Sequence, residues 1–572
     1  MKAKKKHDRA NQRSWLLSAL ERQITLDSER PLLKHYEGGE AVETLSRAAV
    51  FERASALAGH LRSEGVTRGA HVIFDVDTGM SNAVICGWLA CQILGAVAQF
   101  WPSDMRYRFQ KEAAAQADDA CEGRLAVVFI GHVARVEKWR ANDAGLSMRR
   151  HLICLAEDEA CEDADVVKFS SAIKHAQEAE AIKHALVSSE DEAAFVCTQG
   201  THQNARLVPL AYAHIESQAE DLTSIFELSP ECSVFIDLAT AHTVCLVLFA
   251  ACLYSGAMLV SRETGVPVPE ILEAESPTHL FLLPTEMAIL AEVCDPARAS
   301  AWRRFCLRMG KMRSVRRLDG WGGRLVRMAC VDPIETEVLH GARMVVSYGN
   351  HFDSKTAELF GILGTRVFNA YTVSEFGIVH VHEQFKKGGY LRSVEARVQS
   401  GMLSVRSRRL GMPWMPMDDL VFEDELRGLY AHRPLRVRLQ DGTEVDTSPM
   451  REILRRASVI DEVFIFGENR PWLSALVYVN AGRLFEWARA QKIDIEKFSE
   501  LTQDPRVYQY VLSIVNACNL KRAARESIHK MAILPKTLQE DPRILSICGL
   551  TRPDDVERRY SAMIESFYRE NF

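Results

Sequence analysis

The sequence has no CxxC pair and no regular cysteine spacing. Its fourteen cysteines stand singly between Cys86 and Cys548, so neither a zinc site nor a disulfide framework is written into the chain, and a reducing cytoplasm is the expected location. Charge of one sign is also lacking. Lysine and arginine number 70 against 76 acidic residues, a net charge of -6, which leaves no basis for a nucleic-acid-binding surface. The basic opening, Met1 to Lys6, is not followed by an apolar core and reads as a solvated tail rather than a signal peptide. Internal repeats and low-complexity linkers are missing too. Thr243 to Val260, TVCLVLFAACLYSGAMLV, is long enough to raise a membrane span. Asp237 and His242 precede it closely, Tyr254-Ser255-Gly256 interrupts it, and no basic cluster flanks it, so a buried helix running into a buried strand is expected instead, with no membrane span.

What is present is length and alternation. At 572 residues two or more domains are expected. From Leu45 to Leu61 apolar residues recur at helical spacing, and GAHVIFDVD then reads as a buried strand after a glycine turn. MSNAVICGWLACQILGAVAQF repeats helix then strand, while LAVVFIG, HLICLA and AAFVC are further short strands. This order predicts an α/β fold with layered, largely parallel sheets.

Between Lys386 and Arg409 the runs shorten to GYLRSVEARVQSGMLSVRSR, the pattern of antiparallel strands around turns, so a β-rich subdomain is expected there. A new unit opens after Arg427: a strand pair near LRVRLQDGTEV, a helix SPMREILRRA, strands DEVFIFG and SALVYVN, then a long helical region. The expected division is a large N-terminal domain over 1–427 and a smaller α+β domain over 428–572.

Three stretches carry a resemblance. In VCTQGTHQNARLVPL a strand-like run leads into Thr198, Gly200, Thr201 and the basic Arg206; SYGNHFDSKTAELFGILGTRVFNAYTVSEFG spans residues 347 to 377; LATAHTVCLVLFAACLYSGAMLV contains His242. Together they resemble the adenylate-forming superfamily, and within it the AMP-forming long-chain fatty acyl-CoA synthetases. The first is similar to that family's Thr-Ser-Gly-Thr-Thr-Gly-x-Pro-Lys-Gly loop. The second is similar to its Gly-Gly-Ala-x-Leu segment followed by Tyr-Gly-x-Thr-Glu, and the third to its Leu-Pro-Leu-Ala-His stretch. FGENRPWLSALVYVN, DPRVYQYVLSIVNACNL and DDVERRYSAMIESFY follow the order of the family's C-terminal segments, so the likeness runs from about Arg13 to Tyr568.

The resemblance implies an adenylate-forming domain followed by a mobile C-terminal domain. It also implies ATP-dependent activation of a fatty or aromatic carboxylic acid, with magnesium, and transfer of the acyl group to CoA or to the phosphopantetheine thiol of an acyl carrier protein. Thr198, Gly200 and Thr201 would offer hydroxyl and amide donors to phosphate, and Arg206 would stand for the family lysine, a planar fork in place of a point donor. The same loop carries Gln199, His202, Gln203, Ala205 and Leu207 where the family has serine, threonine, glycine, proline and glycine, so it is either a remodelled anion cradle or an ordinary polar loop. Gly349 and Tyr371 would neighbour the nucleotide, Ser374 would meet its phosphate and Glu375 would support magnesium, while Thr372 replaces the family glycine. His242 would sit between nucleotide and acyl sites, although a histidine beside an apolar helix is often simply packed. Asp419 would accept the ribose hydroxyls unless MDDLVFED is only an acidic turn, and Arg433 would replace the ribose-binding arginine by a one-residue shift. The acyl tunnel walls would come from residues 235 to 260 and 345 to 380.

Two C-terminal positions depart further. The aspartate of the family hinge, Gly-Arg-x-x-Asp, falls on Leu435, and the lysine that ends its Leu-Thr-Pro-Thr-Leu-Lys motif falls on Leu550, or on Asp555 in a shifted register, with Arg552 the nearest cation. A unit charge about 4 Å from a phosphate is worth roughly 1 to 4 kcal/mol, so its loss implies a roughly tenfold to thousandfold slower adenylation. Two readings follow: a divergent acid–thiol ligase, or a descendant that binds nucleotide, acyl ligand or a protein partner without adenylation.

Overall fold

The structure is a computed structural model and describes residues 12–37, 40–75, 81–101, 126–130, 150–154, 166–176, 184–197, 207–236, 242–262, 266, 268–284, 286–287, 290, 341–348, 360, 365–373, 375–384, 388–399, 401–410, 414–424, 428–432, 436–455, 457–495, 497–520, 522–537, 540 and 553–569. It divides into two compact units, one of residues 1–200, 204–417 and 421–430, the other of 201–203, 418–420 and 431–572.

Runs such as His71–Asp75 and Val97–Trp101 are buried at every position, and a strand covered on both faces belongs in a parallel sheet between helices. They pair in parallel at the middle of a seven-stranded sheet that ends in the antiparallel pair Glu192–Cys197 and Leu207–Ala211. The helix Asn82–Leu94 between them is fixed at both ends: Ser81 Oγ accepts from Val84 N, and Gly95 takes the left-handed conformation, φ 67°, that closes the last turn.

A second sheet of nine strands holds the candidate site. Its parallel centre includes Ser233–Ile236, β1 (His279–Leu282), β2 (Met344–Tyr348) and β3 (Arg366–Val373); β4 (Gly377–Glu383) then returns antiparallel to β3. Ser233–Ile236 lies between Met258–Arg262 and β1, so the strands that follow it in sequence lie on opposite sides of it. That is a switch point, and the crevice outside the carboxyl end of such a strand is where open α/β sheets take their ligands.

On one face of this sheet lie α1 (Tyr212–Ile225) and α2 (Thr243–Ser255). Phe226, just past α1, meets Phe281 and Phe368 at centroid distances of 5.1 and 5.5 Å, which assigns Phe281, Val346 and Phe368, one row across β1, β2 and β3, to this face. On the other face Leu280, Val345 and Val367 form the next row and pack with Ile271 and Leu272 of the helix Val268–Glu275. The expected membrane-length run thus divides into α2 and the strand Met258–Arg262 at Gly256, φ 79°, and no helix among the described residues is long and apolar enough to cross a membrane.

The antiparallel pattern after Lys386 appears as Val394–Gln399 paired with Met402–Ser407 in a four-stranded sheet. In the second unit the strand pair Arg436–Arg438 and Glu444–Asp446, the helix Ser448–Arg455 and strands Ile460–Phe466 and Leu473–Val479 follow the expected order. The expected long helical region is interrupted by a third strand, Ile528–Ile533, parallel to Leu473–Val479. Its buried positions, Ile528, Met531 and Ile533, start at a spacing of three, which imitates a helix and hides the strand from periodicity. Helix Ser448–Arg455 is tied to this sheet by Arg451, whose Nε and Nη2 donate to the two oxygens of buried Glu462 at 2.8 and 2.7 Å.

Candidate active site

His242, Tyr371 and Glu375 stand at one end of the nine-stranded sheet. Tyr371 is near the end of β3, Glu375 is in the turn to β4, and His242 directly precedes α2, six positions after Ile236 ends its strand. The turn is closed by Phe376 N donating to Val373 O at 3.1 Å and passes through Gly377 at φ 80°, a conformation that suits glycine. Space is tight there as well. A Cβ on Gly377 would lie 3.2 Å from Gln218 Oε1 and 3.3 Å from Thr243 Cγ2, so this turn sits directly against the first turn of α2.

Two side chains of α1 hold the turn. Gln218 Nε2 donates to Ile378 O at 2.9 Å while its Oε1 accepts from Ile378 N at 3.2 Å, and His214 Nε2 donates to Phe376 O at 2.9 Å. Gln218 is fully buried and His214 nearly so. Burial pushes His214 down to about 4, partly opposed by its bond to Phe376, so near neutral pH it is an uncharged donor. These four positions, 214, 218, 377 and 378, are supports of the candidate site that sequence reasoning missed. The pair on α1 and the pair on β4 lie about 160 residues apart, and only the tertiary fold makes them neighbours.

His242 caps α2: its Nδ1 accepts from Val244 N at 3.2 Å. An imidazole nitrogen that accepts a bond is unprotonated, so the proton of the neutral ring is on Nε2. Burial pushes this histidine down to about 4. It therefore offers one uncharged N–H at the positive end of a helix, suited to a carboxylate or phosphate oxygen rather than to accepting a proton.

Tyr371 is 9% exposed and pairs across the sheet with His380. Between this pair and Thr372–Ile378 the register shifts, a bulge that places Val379 out of step. Thr372, where the family has glycine, keeps its place in β3, but its Oγ1 is buried and has no partner among the described residues. The Glu375 side chain is half-buried, and among the described residues its carboxylate makes no hydrogen bond or ion pair. A carboxylate without a partner among the described residues could hold magnesium, which takes one or two carboxylates together with substrate phosphate oxygens. Among the described residues no group of three or more His, Cys, Asp or Glu forms an all-protein metal cage.

Thr198, Gly200, Thr201, Arg206, Gly349, Ser374 and Arg433 lie outside the described residues, as do Leu435 and Leu550. Asp419 falls in the middle of the strand Met415–Asp424, not in the acidic turn weighed as its alternative.

The comparisons with solved structures agree with this architecture. The anthranilate CoA ligase AuaEII, solved with anthranoyl-AMP, is 14% identical and superimposes with a TM-score of 0.68 over 97% of this chain and 98% of its own. The adenylation domain of a carboxylate reductase from Mycobacterium chelonae is 13% identical, with a TM-score of 0.69 over 99% and 92%. The o-succinylbenzoate CoA synthetase MenE from Bacillus subtilis, in complex with OSB-AMP, is 14% identical, with a TM-score of 0.65 over 96% and 98%. At such identities the likeness speaks for the fold alone. The sequence matches no curated protein. The profile of the AMP-binding enzyme family matches residues 20–401 and that of the AMP-binding enzyme C-terminal domain residues 435–571, so the chain belongs to the AMP-binding, adenylate-forming enzymes, built as a large N-terminal α/β domain and a smaller C-terminal domain.

Proposed function

We propose that this chain is an AMP-forming acid–thiol ligase that activates a fatty or aromatic carboxylic acid and passes the acyl group to CoA or to a carrier-protein thiol. The acid's carboxylate oxygen would attack the α-phosphorus of ATP, forming the acyl–phosphate bond as the bond to pyrophosphate breaks. The thiolate sulfur would then attack the acyl carbon and release AMP. In this reading residues 1–427 form the adenylation domain and residues 428–572 the C-terminal domain.

The observation that carries the reading is the Glu375 carboxylate, without a partner among the described residues and held in a turn fixed by Gln218, His214 and Gly377 beside Tyr371 and the α2 terminus. Such a turn is costly to build: it uses a left-handed residue and two buried side-chain clamps, and it presents an acid where phosphates would lie. Magnesium bound there would neutralise phosphate charge. His242 Nε2–H would orient a carboxylate or phosphate oxygen, and Tyr371 would flank the base. Thr198, Gly200, Thr201 and Arg206, with Gly349, Ser374, Asp419 and Arg433, complete the proposed nucleotide site, Arg206 carrying the loop's charge. Two of the structural neighbours above are complexes with acyl-adenylates, anthranoyl-AMP and OSB-AMP, and a third neighbour contains a carrier-protein domain, which supports a carboxylic acid as substrate and a thiol acceptor.

One observation favours a second reading, a protein that binds nucleotide or acyl ligand without adenylation. Thr372 fills a family glycine position with a side chain whose hydroxyl is unpartnered among the described residues, and the sequence places leucine at both Leu435 and Leu550. The deciding experiment is pyrophosphate release by the full chain with magnesium-ATP and a panel of acids, with acyl-AMP identified by mass. Release that depends on the acid and is lost in Glu375→Ala supports the ligase. Binding of ATP without release from any acid supports the second reading.

A further inference from the structure

The groups that would do the chemistry stand at the carboxyl ends of β3 and of Ser233–Ile236, so a long acyl chain reaching down from them would have to run along one face of the sheet or the other. Among the described residues both faces are closed. On the α1 and α2 side every residue from Thr243 to Leu253 is completely buried, and so are Phe281, Val346, Tyr348 and Ile378 opposite them. On the other side Leu280, Leu282, Val345, Met287 and Phe360 are at 0% and Val367 at 2%. A channel wide enough for a methylene chain would leave its lining atoms open to a water molecule, and these atoms have no such surface.

Tyr348 ends β2 and pairs in register with Ala370, one residue before Tyr371, and the alternation from Val346 puts it on the face that carries α1 and α2. It is among the largest fully buried side chains of the protein, in the segment similar to the family's paired glycines.

We infer that Tyr348 is a specificity-determining residue and that the acid taken by this site is compact, of the size of a short aliphatic or single-ring acid, and not a long-chain fatty acid. The inference rests on the ligase reading for turnover but not for binding. The wild-type full chain is expected to show no saturable binding of the fluorescent probe dansyl-undecanoic acid, while Tyr348→Gly and the milder Tyr348→Leu, each checked for native circular dichroism, are expected to gain binding that hexadecanoate displaces. In pyrophosphate release, benzoate exceeds dodecanoate by at least about a hundredfold, since pocket walls discriminate by roughly ten- to two-hundredfold per misplaced methylene. Saturable, hexadecanoate-displaceable binding by the wild type overturns the inference, as does dodecanoate turnover within about tenfold of benzoate. Folded variants that gain no probe binding overturn the role of Tyr348. If no acid releases pyrophosphate, the ligase reading fails and the probe experiment alone decides this one.

Discussion

Gln218 holds both backbone polar groups of Ile378: its amide nitrogen donates to the carbonyl at 2.9 Å and its amide oxygen accepts from the N–H at 3.2 Å, 160 positions away in sequence. One buried side chain thus substitutes for a neighbouring strand at the point where β4 leaves the candidate site. Gln218→Ala strands two buried groups, each costing about 1–3 kcal/mol, so a loss of about 2–5 kcal/mol is expected in urea unfolding. Gln218→Glu keeps the shape but cannot donate to Ile378 O near neutral pH. A stability equal to wild type in Gln218→Glu would show that the amide donor is idle.

Gly377 resists a side chain. At φ 80°, with Gln218 Oε1 and Thr243 Cγ2 within 3.3 Å of an added Cβ, Gly377→Ala meets both backbone strain and crowding. A loss of about 1–3 kcal/mol is expected by chemical denaturation. In the ligase reading kcat/KM falls as well, because the turn carrying Glu375 shifts.

Acid should weaken the first unit. His214 and His380 are pushed down to about 4 by burial, with His382 adding to the effect at His380. Their unfolded pKa is about 6.5, so between about pH 6.5 and 4 the unfolded chain binds more protons than the native one, and stability rises with pH across that window. Each ring contributes about 1–2 kcal/mol of loss on going from about pH 7 to 5. Thermal unfolding of the first unit followed across this range checks it, and His380→Phe should flatten part of the slope.

In the second unit, burial works against the Glu462 charge, yet Arg451 and Arg455 hold its carboxyl below the ordinary range. Arg451→Met leaves that carboxylate buried with only the more distant Arg455, at 3.8 Å, and is expected to cost about 3–5 kcal/mol. The double change Arg451→Met with Glu462→Leu restores most of the loss. A double variant as unstable as the single would contradict a desolvation cost.

Much of this was legible in the sequence because local rules and the global fold agree. The apolar run from Thr243 to Leu253 has no polar face and its flanks speak against a membrane span, so it reads as a buried helix, and Gly256 marks its end. Strands buried at every position announced a parallel sheet. Glu375 and Tyr371 stand out because one five-residue run, Tyr371 to Glu375, resembles the family's Tyr-Gly-x-Thr-Glu. The clamp did not show, since glutamine and histidine on an amphipathic helix look like an ordinary polar face until β4 is seen beside it. Nor did the complete burial of Tyr348, which depends on segments far apart in the sequence.

The most direct test of the central claim is acid-dependent pyrophosphate release by the full chain with magnesium-ATP, compared with Glu375→Gln. The account predicts release with at least one compact carboxylic acid, an acyl-AMP detectable by mass, and a loss of about a hundredfold or more when the carboxylate becomes an amide. Release that Glu375→Gln leaves intact, or no release from any acid, would contradict it.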